Sequence, residues 1–331
     1  MYTVTQSDWE DFIGQNPSCH LLQTNQWGEF KAQFGWQPVR IIAGRSGAQI
    51  LFRRLPLGYS IAYIPKGPVG EITPTLLTEI EEICVSQKAI IIYVEPDAWE
   101  EDFDNSQLIE GGFRESRISI QPRRTIVIEL DGDEDIWLER MKQKTRYNIR
   151  LAKKKNVEVN SSKDVDTFIH LMKITGTRNM FSVHNEVYYR TAYDIFSSSG
   201  NCELLIAYYQ QKPLAALMVF YQGVRAWYFY GASSNLERNR MANYLLQFEA
   251  MRWAKMKGCK LYDLWGIPDY DEEQLEAQFT SRNDGLWSVY RFKRGFGGLI
   301  KRSAGVYEKV IHPIPYTIYA AMLRLRKWDA A

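Results

Sequence analysis

The feature that most constrains the fold of this chain is a repeated order of predicted elements. In the first half, the stretches VRIIAG, AQILFRRL and SIAYIPKGPVG predict strands, and TPTLLTEIEEICVSQK and AIIIYVEPD then predict a helix and a buried strand. The second half repeats this order with CELLIAYYQ, PLAALMVFYQ, RAWYFYGASS, MANYLLQFEAMRWAKMKG and KLYDLWGIPD. The final strands end in EPD in one copy and in IPD in the other. We therefore interpret the chain as an internal duplication of one α/β unit.

Length and composition place the duplicated chain in the class of intracellular globular proteins. Its 331 residues exceed what a single core usually supports, which favours two domains. The 4 cysteines and 4 histidines are scattered without metal-ligand spacing, so the sequence predicts no zinc site and no disulfide framework. The polar, acidic start MYTVTQSDWEDF is unlike a secretory leader, and no apolar run approaches the ~18 residues of a membrane span.

The repeated unit of three strands, a helix and a strand resembles the acyltransferases of the GNAT type. In these enzymes a loop of the form R-x-x-G-x-G/A opens the helix and holds the diphosphate of coenzyme A. The equivalent loop here reads RNRMAN, with Met241 and Asn243 in place of the glycines. Bulky side chains fill the space that a diphosphate needs beside the backbone. The sequence thus favours acyl transfer but argues against coenzyme A as the acyl carrier.

A strongly basic segment, MKQKTRYNIRLAKKKNVEV, lies between the two copies. Apolar residues at roughly helical spacing, such as Ile149 and Ala152, predict an amphipathic helix. The cations that we expect to contact the phosphates of a nucleic acid are Lys142, Lys144, Arg146, Arg150, Lys153 and Lys154. A solvated charged face is the alternative. The closing stretch IPYTIYAAMLRLRKWDAA is a second basic amphipathic segment, which either touches an anionic membrane or packs on the first domain.

Six ordered blocks resemble one enzyme family. LLQTNQWGEFKAQFGWQPV carries a Gln, a Trp and a Lys ahead of Gly-Trp, and the later blocks are AYIPKGPV, KTRYNIRLAKKKNVEV, WYFYGASS, LYDLWGI and VYRFKRGFGG. Over nearly the whole chain, these blocks are similar to the Fem family of peptidoglycan-bridge aminoacyltransferases. The resemblance is to its compact, FemX-like form, because no heptad insertion that would build a coiled-coil arm interrupts the blocks.

The resemblance implies a fold, a reaction and its partners. The expected fold is α/β (α+β), with two tandem GNAT-like domains whose mixed central sheets are flanked by helices. The expected bounds are 1–135 and 136–309, with the tail 310–331 returning to the first domain. The partners are an aminoacyl-tRNA, which the basic segment would contact, and a lipid-linked or nucleotide-linked peptidoglycan precursor. No metal or organic cofactor is implied, and the expected location is the cytoplasm, with peripheral membrane contact as an open alternative.

The resemblance also assigns a catalytic pair in SVYRFKRGFGG. Phe292 and Lys293 match the family's Phe-Lys pair, and we read them as lying between a strand and a glycine-rich turn. An aminoacyl ester is already activated, so the enzyme must position the incoming amine and stabilise negative charge on oxygen. A lysine in a poorly hydrated loop does the second task. We expect Phe292 to form an aromatic wall and the glycines to bring the backbone close to substrate. A solvated surface lysine is the alternative.

Precursor contacts follow from further matched positions. Lys31 matches a diphosphate-binding lysine and Tyr188 a substrate tyrosine, while His184 stands where compact members have an arginine, a stronger phosphate partner. Tyr228 and Tyr230 match aromatic residues of the substrate channel, and alternating residues of one strand share a face.

Two carboxylates complete the predicted site. Glu95 matches a position where some family members have an acidic residue near the precursor, and Asp263 lies in the matching strand of the second copy. A carboxylate there would either orient the amine or pair with a neighbouring lysine. Two other functions stay open: an N-acyltransferase that uses acyl-coenzyme A, and a non-catalytic binder of RNA or precursor.

Overall fold

The chain forms two compact units. The computed structural model describes residues 3–179 and 183–325. One unit comprises residues 1–123 and 302–331, and the other comprises residues 124–301. These bounds differ from the predicted ones at 135 and 309. The reason is strand pairing: residues 124–129 join the second sheet through Leu261–Asp263, and Tyr307–Val310 joins the first sheet through Ala89–Glu95.

In the described part of the chain, the first unit has a six-stranded mixed sheet. Numbered in chain order over the whole protein, its strands are β1 (Trp36–Ala43), β2 (Ser46–Arg54), β3 (Ser60–Pro65), β4 (Ala89–Glu95), β5 (Arg114–Glu115) and β13 (Tyr307–Val310). Its helices are α1 (Gln6–Gln15), α2 (Asn25–Ala32), α3 (Pro74–Ser86), α4 (Ser106–Glu110) and α12 (Pro313–Leu325). The predicted α3 is confirmed, and its cap is Thr73, whose side chain accepts a hydrogen bond from the Leu76 backbone N–H.

The second unit has a seven-stranded mixed sheet among its described residues. The strands are β6 (Arg124–Glu129), β7 (Glu158–Ser162), β8 (Cys202–Tyr209), β9 (Lys212–Gln222), β10 (Arg225–Ser233), β11 (Leu261–Asp263) and β12 (Leu299–Arg302). The helices are α5 (Glu134–Arg140), α6 (Gln143–Lys154), α7 (Val165–Asn179), α8 (Glu186–Ser198), α9 (Ala242–Met256), α10 (Glu272–Gln278) and α11 (Trp287–Lys293).

The sheet orders confirm the duplication. The first sheet runs β1-β2-β3-β4-β13-β5 and the second runs β12-β6-β11-β10-β9-β8-β7. In each unit an antiparallel three-strand meander is followed by a helix and by a strand parallel to the third strand, which gives the parallel pairs β3/β4 and β10/β11. Predictions of the strands and of the connecting helices α3 and α9 are thus confirmed.

The two parallel pairs end differently. In the first unit, β3 and β4 stay paired to their last residues, Pro65 and Glu95. In the second unit, β11 pairs with β10 only from Arg225 to Trp227, after which β10 continues to Ser233 beside β9. A gap therefore opens between β10 and β11 beyond Trp227.

The C-terminal segment returns to the first unit, as the resemblance implied. β13 lies between β4 and β5, and α12 places Tyr316 and Tyr319 against apolar residues of β3 and β4. Packing on the first unit was one of the two predicted alternatives. The predicted basic residues Arg326 and Lys327, the neighbouring Trp328 and the side chain of Arg324 lie outside the described residues.

One predicted element is wrong. The stretch ahead of Lys293 is not a strand but α11, followed by a 3₁₀ turn over Arg294–Phe296. Buried Trp287, Tyr290 and Lys293 recur every three residues along α11, so the helix buries one face and Lys293 is its last buried position.

Candidate active site

Lys293 lies at the gap where β10 and β11 separate. Its side chain is only 4% exposed, and Nζ donates hydrogen bonds to the backbone carbonyls of Trp265 at 3.1 Å and Gly266 at 2.8 Å. The Tyr228 ring on β10 lies 5.6 Å from Nζ, which places the ammonium near an aromatic face. Lys293 is therefore a buried cation and not the solvated surface lysine of the alternative.

Burial changes the protonation of this lysine. Desolvation lowers the pKa of Lys293 from its usual 10.5 to about 7, and the negative charge of Asp263 partly opposes that change. Both the ammonium and the neutral amine are accordingly populated near neutral pH. A protonated Lys293 offers a positive charge in a water-poor site, where it stabilises developing negative charge strongly.

Asp263 ends β11 and is also buried. Its Oδ1 accepts a hydrogen bond from the Thr125 hydroxyl and another, at 2.7 Å, from the Trp265 backbone N–H. Burial raises the pKa of the Asp263 carboxyl, and these two hydrogen bonds, together with the charges of Arg225 and Lys293, oppose the rise. Both described hydrogen bonds to this carboxylate thus come from groups of the protein itself.

Phe292 points to a different neighbourhood from Lys293. Its ring packs edge-to-face against Tyr244 of α9 at 5.1 Å and against Phe296 at 5.0 Å. The glycines that follow serve internal packing: Gly298 has φ of +103°, and a Cβ there would lie 2.6 Å from the Val127 carbonyl oxygen. We expected these glycines to bring the backbone close to substrate. In the structure Gly298 instead allows two backbone segments of the protein to approach each other.

Tyr228 and Tyr230 do not share a face of the sheet, contrary to prediction. A β-bulge lies between them, so Tyr228 pairs with Val219 and Tyr230 with the adjacent Met218. Tyr228 packs on the core that contains Val219, and its ring fills the space where a side chain on Gly231 would lie. Of the two, Tyr228 is on the side of Lys293, and burial raises its pKa to about 12, so its hydroxyl stays protonated.

Tyr230 joins an aromatic cluster on the opposite face of the sheet. The rings of His184 and Tyr188 stack at 3.8 Å, and Tyr230 lies edge-on to Tyr188 at 6.3 Å and to Tyr189 at 5.3 Å. Burial raises the pKa of Tyr188 to about 12 and also raises that of Tyr230 well above its usual value. The structure therefore groups three predicted substrate residues, His184, Tyr188 and Tyr230, and adds Tyr189.

Lys31 of the first unit lies on α2 among aromatic rings. Its Nζ is 5.5 Å from the centre of the Trp27 ring and 5.8 Å from that of Phe30, and the side chain is 9% exposed. Burial, and then the positive charge of Arg53, lower the pKa of Lys31 to about 8. Two neighbouring cations favour an anion between them. No sequence motif marks Arg53, whose place near the end of β2 is visible only in the fold.

Glu95, at the end of β4, is fully buried. Its Oε2 accepts a 2.5 Å hydrogen bond from the Tyr63 hydroxyl, and its Oε1 lies 3.4 Å from Lys66 Nζ. The Lys66 side chain is 6% exposed and that of Glu95 is 0% exposed. Of the two predicted alternatives for Glu95, pairing with a neighbouring lysine is the arrangement in the structure.

The basic helix is confirmed as α6, but its cations differ in their surroundings. Arg146 donates to the carbonyls of Leu138 and Met141 and so caps the end of α5, which excludes it from the predicted solvent face. Lys142 pairs with Glu276 at 3.5 Å and Lys153 approaches Glu249 at 3.9 Å.

The other three predicted cations lie on the solvent side of α6. Lys144, Arg150 and Lys154 are exposed and form no ion pair within residues 3–179 and 183–325. Tyr147 lies on the same side of the helix and is 61% exposed.

With this geometry described, comparison with known proteins decides the family. The model of the FemAB family matches residues 4–118, 110–212 and 200–324. The chain belongs to the FemAB family. This confirms the resemblance inferred from the six sequence blocks, and it makes the chain an aminoacyltransferase by family.

The similarity between this FemAB chain and its relatives extends over nearly the whole chain. The Lipid II:glycine glycyltransferase of Staphylococcus aureus (strain MRSA252) is 28% identical, over 98% of this chain and 96% of that protein. The crystal structure of FemX matches with a TM-score of 0.84 at 24% identity, over 96% of this chain and 98% of that one. A tandem GNAT protein from the clavulanic acid pathway matches with a TM-score of 0.50 at 9% identity, over 93% of this chain and 97% of that one. These structures confirm the tandem GNAT-like fold.

In this FemAB chain, the GNAT-type phosphate loop is occupied by side chains. Residues 238–240 form a 3₁₀ turn between Glu237 and Met241, both of which have positive φ. The Arg240 guanidinium lies 3.2 Å from the centre of the Tyr209 ring and donates to the Lys155 carbonyl. These contacts fix the loop to α6 and β8. They are consistent with the prediction that this loop holds no coenzyme A.

Proposed function

We propose that the protein transfers an aminoacyl group from an aminoacyl-tRNA to the stem-peptide amine of a peptidoglycan precursor. The observation that carries the proposal is Lys293, a buried ammonium held by two carbonyls at the gap between β10 and β11. Membership of the FemAB family supports the reaction class. The tandem GNAT-like fold supports it too, because acyl transfer is the reaction expected of the GNAT type.

In this reaction the acceptor nitrogen attacks the carbonyl carbon of the aminoacyl ester. The new C–N bond forms, the carbonyl oxygen takes up negative charge, and the C–O bond to the ribose breaks as the ribose oxygen gains the proton that the amine loses. The protonated Lys293 stabilises the negative oxygen. Tyr228, whose pKa of about 12 keeps its hydroxyl protonated, is placed to donate a hydrogen bond in the same gap.

Lys31 and Arg53 are proposed to contact the diphosphate of the precursor. Burial and then repulsion by Arg53 lower the pKa of Lys31, and an anion that binds both cations would offset the repulsion. The aromatic cluster of His184, Tyr188 and Tyr230 is proposed to line the precursor site, with stacking and hydroxyl groups instead of an arginine. We favour the lipid-linked precursor as acceptor because the Staphylococcus aureus relative carries lipid II in its name.

The solvent side of α6 is the proposed tRNA surface. Lys144 and Lys154 are ten positions apart, so they span roughly 15 Å of helix, a length that reaches several phosphates. Exposed Tyr147 between them offers a ring on which an unpaired base can stack.

The proposed location is the cytoplasmic side of the membrane. No helix in the described ranges is long and apolar enough to span a bilayer. The outer side of α12, however, exposes apolar side chains four positions apart: Ile314 (78%), Ile318 (54%) and Met322 (56%). This apolar strip, which basic residues at 324, 326 and 327 follow in the sequence, suits contact with an anionic membrane surface that holds a lipid-linked acceptor.

A transfer assay tests the proposal. Purified protein is given a pool of tRNA charged with labelled amino acids, with nucleotide-linked precursor in solution and lipid-linked precursor in vesicles in parallel. We expect label on the lipid-linked precursor, and analysis of the labelled product identifies the amino acid. Label on the nucleotide-linked precursor alone would overturn the choice of acceptor. No label on either, with folded protein and an active control enzyme, would overturn the reaction, and saturable binding of coenzyme A would then favour the other acyl donor.

A further inference from the structure

The buried carboxylate of Asp263 has a geometry that the transfer chemistry leaves unexplained. Of its described hydrogen bonds, one comes from the Thr125 hydroxyl on β6 and one from the backbone N–H of Trp265, two residues further along its own chain. A bond from an aspartate to the N–H two residues later closes a turn that mimics a backbone turn. Asp263 therefore fixes the path of the chain over residues 263–266.

The turn contains an unfavourable backbone conformation. Trp265 has φ of +60°, which is uncommon and unfavourable for a residue with a bulky side chain. Such a conformation persists only when its surroundings impose it. Two contacts do so here: the hydrogen bond from the Trp265 N–H to Asp263, and the packing of the Trp265 ring on Phe229 at 4.6 Å.

The turn directs two adjacent backbone carbonyls at the same ammonium. The oxygens of Trp265 and Gly266 lie 3.1 Å and 2.8 Å from Lys293 Nζ. We infer that Asp263 is a positioning residue, whose carboxylate, anchored by Thr125, holds the 263–266 turn so that these two carbonyls seat the Lys293 ammonium. This inference rests on the proposed role of Lys293 in transfer, and it replaces our expectation that Asp263 binds substrate.

The charge of Asp263 adds an electrostatic effect to the positioning. The titratable and charged groups around the pair are Tyr228 near Lys293, and Arg225 and Tyr262 near Asp263. Among them Asp263 is the group whose charge raises the pKa of Lys293 against desolvation. Loss of this charge with the turn intact should leave a smaller protonated fraction of Lys293 at pH 7.

Asp263→Asn separates the two effects, because the amide keeps an acceptor oxygen for the turn but carries no charge. Lysine labelled with ¹³C at Cε reports the titration of Lys293 by NMR without any need for transfer activity. We expect the Lys293 signal to titrate near pH 7 in the wild type and at lower pH in Asp263→Asn. The kcat for transfer at pH 7 should fall about tenfold, and its decline with rising pH should begin earlier, while the KM for the acceptor changes little.

Thr125→Val keeps the carboxylate and the shape of its neighbour but removes the anchoring hydroxyl, so it also serves if Asp263→Asn folds poorly. We expect a smaller loss of kcat and no loss of substrate affinity. Asp133→Asn, which alters a distant exposed helix cap, is the matched control and should leave both readouts unchanged. An unaltered Lys293 titration in Asp263→Asn would overturn the inference, as would a raised acceptor KM with an unchanged kcat. If the expected NMR titrations are observed but neither the wild type nor any variant transfers an aminoacyl group, the proposed function fails and the positioning role stands.

Discussion

In both copies of the duplicated unit a lysine, a carboxylate and a tyrosine lie near the ends of the parallel strand pair, but the lysine follows β3 in the first copy and comes from α11 in the second. At the ends of β3 and β4, Lys66 and Glu95 form a buried ion pair, and Tyr63 donates to the carboxylate. At the ends of β10 and β11, the Lys293 ammonium is held by carbonyls, and the Asp263 carboxylate is turned to Thr125 and the Trp265 backbone.

This difference follows from how the strands end. β3 and β4 are paired up to Pro65 and Glu95, so the polar groups at their ends satisfy one another inside a closed sheet. β10 and β11 are no longer paired after Trp227 and Asp263, so the polar groups at this point are held by the 263–266 turn and not by each other. The corresponding ends of the parallel strands therefore hold a closed ion pair in the first copy and, in our proposal, the reacting ammonium in the second.

Among the substitutions that test this comparison, replacement of Lys293 should have the largest effect. Lys293→Met should reduce kcat for transfer about 100- to 1,000-fold, the usual loss when one group that stabilises an oxyanion is removed. The free energy of unfolding should fall by no more than about 1 kcal/mol, because the loss of two hydrogen bonds is offset by removal of a poorly solvated charge. Denaturant unfolding and steady-state transfer measure the two quantities on one preparation.

The wild-type rate should also depend on pH with a defined sign. Since desolvation sets the pKa of Lys293 to about 7, the ammonium is lost as pH rises through that value. After correction for spontaneous ester hydrolysis, kcat should fall about tenfold per pH unit above 7. A rate that stays constant to pH 9 would contradict a catalytic ammonium.

Replacement of the lysine in the first copy should instead lower stability and leave activity largely unchanged. Lys66→Met leaves the Glu95 carboxylate buried without its cation, which should lower the free energy of unfolding by about 3 kcal/mol. Well below the unfolding temperature, kcat should stay within severalfold of the wild type. Lys66→Met combined with Glu95→Gln is the matched control, because it removes both charges and should recover most of the stability. A large loss of kcat with unchanged stability would show that the first copy also carries chemistry.

The order of elements could be predicted from the sequence because it depends on local periodicity. The apolar and aromatic runs of β8 to β10 and the helical spacing of α9 extend over enough residues to predict strands and a helix. The short helix α11 was misread as a strand because Val289, Tyr290 and Phe292 favour strands when taken singly. The recurrence of Trp287, Tyr290 and Lys293 every three residues was the signal that predicts a helix.

The parts of the site that the sequence did not predict depend on contacts between distant segments. A single extra residue in β10, the bulge at Phe229, moves Tyr230 to the other face of the sheet, and nothing in the strand pattern marks it. Arg146 looks like the other cations of its helix, yet it caps the preceding one. Arg53 becomes a partner of Lys31 only through the fold.

The smallest expected effect concerns the proposed tRNA surface on α6 of the second copy. If an unpaired base stacks on exposed Tyr147, Tyr147→Ala should weaken tRNA binding about five- to tenfold, at the low end of base–aromatic stacking energies, whereas Tyr147→Phe should bind like the wild type. Fluorescence anisotropy with labelled tRNA measures the binding without relying on transfer.

Arg150→Ala should instead reduce the dependence of tRNA binding on salt, because it removes a phosphate contact. Lys153→Ala is the matched control, since Lys153 already approaches Glu249 and should matter less. Equal binding by Tyr147→Ala and Tyr147→Phe would assign the affinity of this helix to its charges alone.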